Sequence, residues 1–426
     1  MDLKGKRLLI LGATAVEIEI LNEAKKLGVY TIVTDNHTDW SLAPAKYVAD
    51  EAYNISWSDM DALEKICRER NVDGCLAGYS ERRVECLTEL CKRLGFYCYT
   101  EGADLDVIFS KDKFRKACID AGVPATCAYS LNDENIRFPV IVKPVDNAGS
   151  RGVSVCKDRD ELEKAYENAC NSSVSKTAMI EEFLDGDDPR YEPVFFYTIH
   201  NGTATLSNSL DRIMVDFGFG GGMIKQAVGN VYPSKYLDGF IEKQDKQFRE
   251  LFSSLGMKNG YALMQGKMKN GYFVPVDLGY RLEGSLSFHY SDFINGMNVI
   301  QMMIRYALTG TMGDDRLIAE KDDPRFAKTG VTITLLATKG KIASISGLDE
   351  ISREKCVIYV SQKMSVGTVC KLPADYSQVF GRIYMCSDDK QELIRTIDKV
   401  YSTVKVLDEN GNNMLIGRYD ADELKG

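Results

Sequence analysis

Between Arg7 and Asp35 the chain reads RLLILGATAVEIEILNEAKKLGVYTIVTD: a short apolar run, a glycine, a stretch with helical spacing, and a second apolar run ending in aspartate. A change from the two-residue period of a strand to the 3.6-residue period of a helix and back predicts a βαβ unit. Such a unit constrains topology, because parallel strands need a crossover connection and that crossover is right-handed. The pattern continues: Met60 to Arg70 predicts a helix, VDGCLAG a strand, Arg82 to Leu94 a helix and FYCYT a further strand. The expectation for residues 1–105 is a doubly wound parallel sheet, α/β in class and Rossmann-like. Gly12 is followed by Ala13 and Thr14 rather than a full G-x-G-x-x-G, so this sheet reads as a scaffold or as one wall of a substrate site.

The texture changes near Asp104. A helix is expected from Lys111 to Asp120, stopped by Gly122 and Pro124, and another from Asp160 to Cys170. Strands are expected at VIVKP, at AMIEEFL, at Val194 to His200, at Thr203 to Ser209 and at Tyr261 to Met268. The last turns through Lys269-Asn270-Gly271 into YFVPVDLGYR. A helix from Asn298 to Leu308 precedes a polar stretch, Gly313 to Lys328, that reads as a linker. Beyond it GVTITLLATKGKIASISG predicts a hairpin, and the tail alternates strand and helix patterns, so this part is α+β.

Composition excludes several function classes. The 426 residues are 44% hydrophobic and 27% charged, enough to bury the cores of two to four domains. A net charge of -9, with no basic stripe, argues against a nucleic-acid binder. The twelve cysteines contain no C-x-x-C pair and the histidines number three, so reduced thiols in a cytoplasmic protein are expected rather than a disulfide framework or structural zinc. Glu17 and Glu19 interrupt the first apolar run too soon for a signal peptide. No apolar run approaches the roughly 18 residues needed to cross a membrane.

VIVKPVDNAGSRGVSV, Val140 to Val155, poses the chemical question. A lysine near the end of an apolar strand loses several kcal/mol of hydration unless an anion meets it. Gly149 and Gly152 allow close backbone approach, and Ser150 and Arg151 add polar and cationic contacts, so Asp146 to Val153 could close over phosphates. A hairpin with an exposed lysine reads equally well from these residues alone.

The order of motifs resembles the ATP-grasp superfamily, in particular carboxylate–amine ligases, biotin carboxylases and the large subunit of carbamoyl phosphate synthase. The resemblance covers nearly the whole chain. It implies a pre-ATP-grasp domain over 1–105, which includes SLAPAKYVADE. It further implies an ATP-grasp domain over 106–312, its nucleotide-binding subdomain about 106–186, and a C-terminal lobe over 313–426. It implies that Lys113 in KDKF and Lys143 in VIVKP hold ATP phosphates beneath the loop carrying Ser150, Arg151 and Gly152. In IEEFL, Glu181 and the backbone of Glu182, Phe183 and Leu184 would hold adenine, and Asp188 or Glu192 the ribose. In PVDLGYRLEG, Asp277 matches a magnesium carboxylate, with manganese as a substitute ion, and Arg281 matches an arginine that steadies the transferred phosphoryl group. Arg281 and Lys143 are therefore the implied catalytic residues. Phosphoryl transfer asks for positioning and charge neutralisation, which is why such sites are built from lysine, arginine and metal carboxylates.

The sequence departs from this pattern at two metal positions: Gln265 stands where a glutamate is common, and Gly279 where an asparagine is common. Glu283 reads either as a replacement for the missing charge or as a solvated glutamate. In NSLDRIMVDFGFGGGMIKQ, Arg212 and Lys225 are candidates to hold a substrate carboxylate, or else strand-end caps, and His289 reads as structural. The implied activity is an ATP-dependent ligase that couples a small-molecule carboxylate to an amine or thiol, releasing ADP and phosphate. Its partners would be those small molecules, with no nucleic acid and no membrane, and the architecture allows a homodimer. A carboxylate kinase or carboxylase of the same fold, and an inactive ATP-binding regulatory module, are the alternatives.

Overall fold

A computed structural model describes residues 2–146, 152–218, 225–371 and 378–425. The expected βαβ unit is present: β1 (Arg7–Leu11), α1 (Glu17–Lys26) and β2 (Tyr30–Thr34), followed by β3 (Glu51–Tyr53), α2 (Met60–Glu69), β4 (Gly74–Ala77) and α3 (Glu81–Leu94). The four strands form one parallel sheet in the order β3-β2-β1-β4. FYCYT is not a strand; it runs as loop and turn. It carries Tyr99 across to Tyr280, where each phenol donates to the other residue's backbone carbonyl, at 3.1 and 2.9 Å. Two reciprocal bonds to a distant segment hold this stretch in place of a sheet ladder.

Next come α4 (Leu105–Ile108), α5 (Lys111–Asp120), β5 (Ala128–Tyr129), β6 (Val140–Pro144), β7 (Ser154–Cys156), α6 (Arg159–Ser172) and β8 (Ala178–Glu182). Strands β5-β8-β6-β7 make a small antiparallel sheet covered by α6. Its core is separate and small, formed by Val140, Val142, Cys156, Leu162, Ala165, Ala169 and Ile180.

The remaining chain builds the largest sheet through β9 (Tyr191–His200), β10 (Thr203–Asp216), β11 (Lys225–Tyr232), α7 (Leu237–Lys243), α8 (Asp245–Ser254), β12 (Gly260–Lys269) and β13 (Tyr272–Gly279). After α9 (Phe288–Asn295), α10 (Val299–Thr309) and α11 (Asp315–Lys321) come β14 (Thr329–Ala337), β15 (Gly340–Ser346), α12 (Leu348–Ile351), β16 (Val357–Gln362), β17 (Val369–Cys370), β18 (Val379–Ser387), α13 (Lys390–Thr403), β19 (Lys405–Asp408) and β20 (Leu415–Ile416). Among the described residues nine strands join in one sheet, in the order β13-β12-β9-β10-β11-β14-β18-β16 with β20 on β14. Strands from either side of residue 312 pair in it, β11 with β14.

Two expectations are corrected here. The stretch 313–328 is not a bare linker, because α11 lies in it and Asp322 is buried against Thr205. The run from Gly330 to Gly347 is not a hairpin: β14 pairs with β11 and β18, whereas β15 pairs with β17 and β19. Eight of the nine β14 residues are buried, as suits a central strand with neighbours on both edges, and β15 is mostly exposed. A hairpin pairing would have put an exposed strand into the middle of the sheet.

Helix α10 belongs in space to the N-terminal sheet. The backbone of β4 approaches it so closely that a Cβ on Gly74 would lie 2.1 Å from the Ala307 carbonyl oxygen. Gly74→Ala is therefore expected to destabilise the protein by about 1–3 kcal/mol through overpacking. Gly239→Ala, inside α7 with nothing within 4 Å of the added carbon, should be neutral or slightly stabilising. Urea unfolding of the two variants beside the parent protein measures the difference.

Candidate functional site

The cleft is built from the ends of strands. In the β6–β8 ladder Ile141 faces Glu181 and Lys143 faces Met179, which makes Lys143 and Glu181 diagonal neighbours on one side of the sheet. Lys143 Nζ lies 2.6 Å from Glu181 Oε2, with the two side chains 10% and 4% exposed. Thr126 Oγ1 donates to the other carboxylate oxygen at 2.6 Å. Arg115 approaches the same oxygen with its Nε at 4.0 Å and donates from Nη1 to the Thr126 carbonyl at 3.1 Å. The Arg115 Nε is buried and makes no hydrogen bond. Two cations thus surround one buried carboxylate, leaving an excess positive charge and an unsatisfied donor, a set that fits phosphate oxygens.

Helix α5 explains why Arg115 stands there. Lys111 and Arg115 are four residues apart and share one side of the helix, whereas Lys113 points elsewhere. Lys113, expected at the phosphates, instead pairs with Asp106 at 2.6 and 2.7 Å in an exposed position. Lys111 Nζ lies 3.8 Å from Asp277 Oδ1. Arg115 lies outside the KDKF motif and Lys111 opens it without being singled out, but the helical period from Lys113 places both on the opposite side.

Glu181, expected at the base, is the counter-ion of Lys143. Glu182 accepts from the Cys127 amide at 3.0 Å and from Lys269 Nζ at 2.7 Å, which ties the end of β8 to the end of β12. The Glu182 amide donates to Cys127 O and the Phe183 amide to Pro139 O, at 2.9 and 3.1 Å, so these two amides are already used; Phe183 and Leu184 are half-buried. Asp188 pairs with Arg190 at 2.9 Å and with Lys235 at 3.8 Å. Glu192 pairs with Arg212 and, at 3.6 Å, with Lys267. Lys225 reaches Asp185 Oδ1 at 3.2 Å and the Pro189 carbonyl at 3.0 Å. Arg212 and Lys225, expected at a substrate carboxylate, are thus joined to Glu192 at the start of β9 and to Asp185 just before it.

The glycine-rich loop is anchored at both described ends. Ser173 Oγ and the Val174 and Ser175 amides donate to Asp146 at 2.7, 3.0 and 2.7 Å. Burial opposes ionisation of Asp146, but these bonds prevail and hold its carboxyl at about 2. At the other end Gly152 has φ +76, and a Cβ there would lie 2.6 Å from Ser172 Cβ. Ser150 and Arg151 lie outside the described residues.

On the opposite wall Gln265 and Asp277 face each other directly across β12 and β13. An amide oxygen and a carboxylate side by side suit a hard cation that keeps its remaining ligands as water and phosphate oxygens. Among the described residues no three His, Cys, Asp or Glu side chains gather into a metal site. Gly279 has a packing reason: a Cβ would lie 3.1 Å from Leu263 Cδ2, so asparagine there would have to displace that leucine. Glu283 is neither solvated nor turned to the metal wall. It is 8% exposed and accepts from the Ser285 amide at 2.6 Å, the Ser285 hydroxyl and the Ser287 amide. His289 packs on Tyr359 with ring centroids 4.1 Å apart, and burial pushes its pKa down to about 3, which keeps it neutral.

Arg281 lies deep in the cleft. Its Nε donates to Glu81 Oε1 at 2.6 Å and its Nη1 to the Leu282 carbonyl at 3.0 Å. Glu81 opens α3, directly after β4, at the carboxyl end of the parallel sheet where ligands bind in open α/β folds. That position was its one signal in the sequence.

A sequence model of the ATP-grasp domain matches residues 136–217. The chain is 24% identical over 236 residues to a formate-dependent phosphoribosylglycinamide formyltransferase of Francisella tularensis, covering 51% of this chain and 57% of the relative. It thus spans about half the length of the curated relatives it matches. Its fold matches an L-amino acid ligase from Bacillus licheniformis with TM-score 0.74 and 18% identity, over 96% of this chain and 100% of that one. It also matches the biotin carboxylase domain of the Hydrogenobacter thermophilus 2-oxoglutarate carboxylase with TM-score 0.75 and 16% identity, over 99% and 95%.

The Lys143–Glu181 pair makes a stability prediction. Lys143→Ala leaves a buried carboxylate short of its nearest cation and should destabilise the protein by about 3–5 kcal/mol. Lys143→Met combined with Glu181→Gln removes both charges and should recover most of that loss. Guanidinium unfolding of the single and double variants tests it, and equal destabilisation would show that the pair is not the cause.

Proposed function

We propose that this chain, which matches the ATP-grasp domain model over residues 136–217 and the fold of an L-amino acid ligase over nearly its whole length, is an ATP-dependent ligase that activates a small carboxylate and couples it to an amine. The observation that carries this reading is the pairing of an over-charged phosphate wall, Lys143 and Arg115 on one Glu181, with a metal wall of Asp277 and Gln265. ATP would supply the phosphoryl group. The substrate carboxylate oxygen takes the γ-phosphorus as the bond to ADP breaks, and the amine then displaces phosphate from the acyl carbon and loses a proton. The curated relatives are named for formate and an amine-bearing phosphoribosylglycinamide, which is the same class of coupling.

Each residue has a task in this reading. Lys143 and Arg115 hold α- and β-phosphate oxygens, and Glu181 keeps the Lys143 ammonium at the strand end when the site is empty. Asp277 and Gln265 hold magnesium, for which manganese substitutes. Arg281, aimed by Glu81, steadies the oxygens of the transferred group, where losing one such donor costs about 10²–10³ in rate.

Asp277→Asn leaves no anionic ligand on the metal wall and should be nearly inactive. Gln265→Glu adds charge and should lower the magnesium requirement. The measurement is phosphate release from ATP with a panel of small carboxylates and amines, titrated with magnesium. Release that needs both acid and amine supports ligation; wild-type activity in Asp277→Asn overturns the metal assignment.

A further inference from the structure

Helix α11 has seven residues and buries Ile318 alone. A helix of two turns is marginal by itself, and a single isoleucine is a small apolar anchor, so polar contacts at its ends must hold it in place. Both ends are tied to β9 and β10. At the amino end Asp315 accepts from Asn201 Nδ2 and faces His200 Nδ1 at 3.1 Å, at the end of β9 and in the turn beyond it. At the carboxyl end Asp322, 9% exposed, accepts from Thr205 Oγ1 at 2.5 Å and meets the Thr198 hydroxyl. Thr198 and Thr205 face each other across β9 and β10, so one carboxyl group reaches both strands.

An ionised acid is badly placed there. It is withdrawn from water, it closes a helix at the end where the free carbonyls gather partial negative charge, and Asp323 follows it directly. Little opposes this. Arg249 of α8 is already held by Asp245 at 2.8 Å, and Tyr261 of β12, beside Thr198 in the ladder, has a phenol that burial keeps protonated. The neutral acid escapes these penalties, and its O–H adds a donor toward the two threonines.

We propose that Asp322 is a proton-operated latch, which docks the carboxyl end of α11 on β9 and β10 as the neutral acid and releases it as the carboxylate. On release the proton passes to water and the freed turn uncovers Ile318. Helix α11 connects α10, which packs on the N-terminal sheet, to β14, a central strand of the large sheet. The latch thus makes the joint between the two sheets respond to pH, whatever the cleft binds.

Burial raises the docked Asp322 to about 7; the Thr205 and Thr198 bonds lower it, Asp323 raises it and Arg249 lowers it. A released and solvated aspartate titrates near about 4. Between these values the docked state holds the extra proton, so docking has its full strength below about pH 4 and weakens by about tenfold per unit as pH rises. Above about pH 7 it levels off, since both states are then ionised.

Hydrogen exchange of the full chain, followed by mass spectrometry and corrected for the chemical exchange rate at each pH, reads the opening of α11. From pH 6 to pH 8 the opening constant in peptides over 315–322 should rise about tenfold, while peptides from α8 stay unchanged. Asp322→Asn keeps an acceptor and a donor at the two threonines without a charge. Its α11 should be as closed at pH 8 as the wild type is at pH 6, with no dependence on pH. Wild-type opening that is the same at pH 6 and pH 8 overturns the proposal, as does a tenfold rise retained in Asp322→Asn. An equal rise in α8 also overturns it, because the chain would then be loosening as a whole.

Discussion

The cleft depends on a charge that the strand β6 cannot keep in water. Lys143 is 8% exposed at the end of a strand whose other residues are apolar. Burying an ammonium and a carboxylate costs several kcal/mol each, and their attraction offsets this only when the remaining lone pairs are also satisfied. Thr126 satisfies the second oxygen of Glu181, and Arg115 approaches behind it. The small lobe has seven fully buried apolar residues in its core to set against this cost. A lobe so lightly cored, holding an uncompensated cation, gains from any anion that enters the cleft. Ligand binding and lobe stability are therefore linked through the same pair.

The N-terminal sheet is joined to that cleft rather than merely placed before it. Tyr99 and Tyr280 exchange hydrogen bonds, and Gly260, with φ +112, lets the rings approach where a Cβ would lie 2.6 Å from Tyr99. Helix α10 packs on β4, so that residues from Leu3 to Leu308 share one core. Glu81 then projects from this sheet to Arg281 with both side chains mostly shielded from water. The domain that opens the chain supplies the anion that aims the deepest arginine of the site.

Local periodicity made most elements legible, because burial on one side leaves a period in the chain: α5, α6, β9, β12 and α10 stand within a few residues of where it puts them. Pairing was less legible. The turn Lys339-Gly340 looks like a hairpin, yet β14 and β15 go to different sheets because β14 already has two neighbours in a sheet built from distant segments. Site residues divide the same way. Lys143, Asp277 and Arg281 could be singled out as candidates because each sits in a short motif at a strand end. Arg115 and Glu81 could not, since they meet Glu181 and Arg281 across tens to hundreds of residues. Around KDKF the 3.6-residue period separates Lys113, which pairs with Asp106, from Lys111 and Arg115 on the other side of α5.

The protein as a whole carries a net charge of -9, so its long-range field repels nucleotides and acids. The cleft inverts this locally. Lys111, Lys143, Arg115 and Arg281 stand there against Glu81, Glu181 and Asp277. Within low-dielectric walls such an excess focuses the potential and raises the local concentration of anions. Gln265 and Gly279 belong to the same balance. A glutamate at 265 would remove one positive charge from the excess, and an asparagine at 279 would press on Leu263. On the proposed assignment of Asp277 and Gln265 to magnesium, the neutral amide leaves the cleft more positive than a glutamate would, which favours a metal that arrives with its polyphosphate over a bare cation.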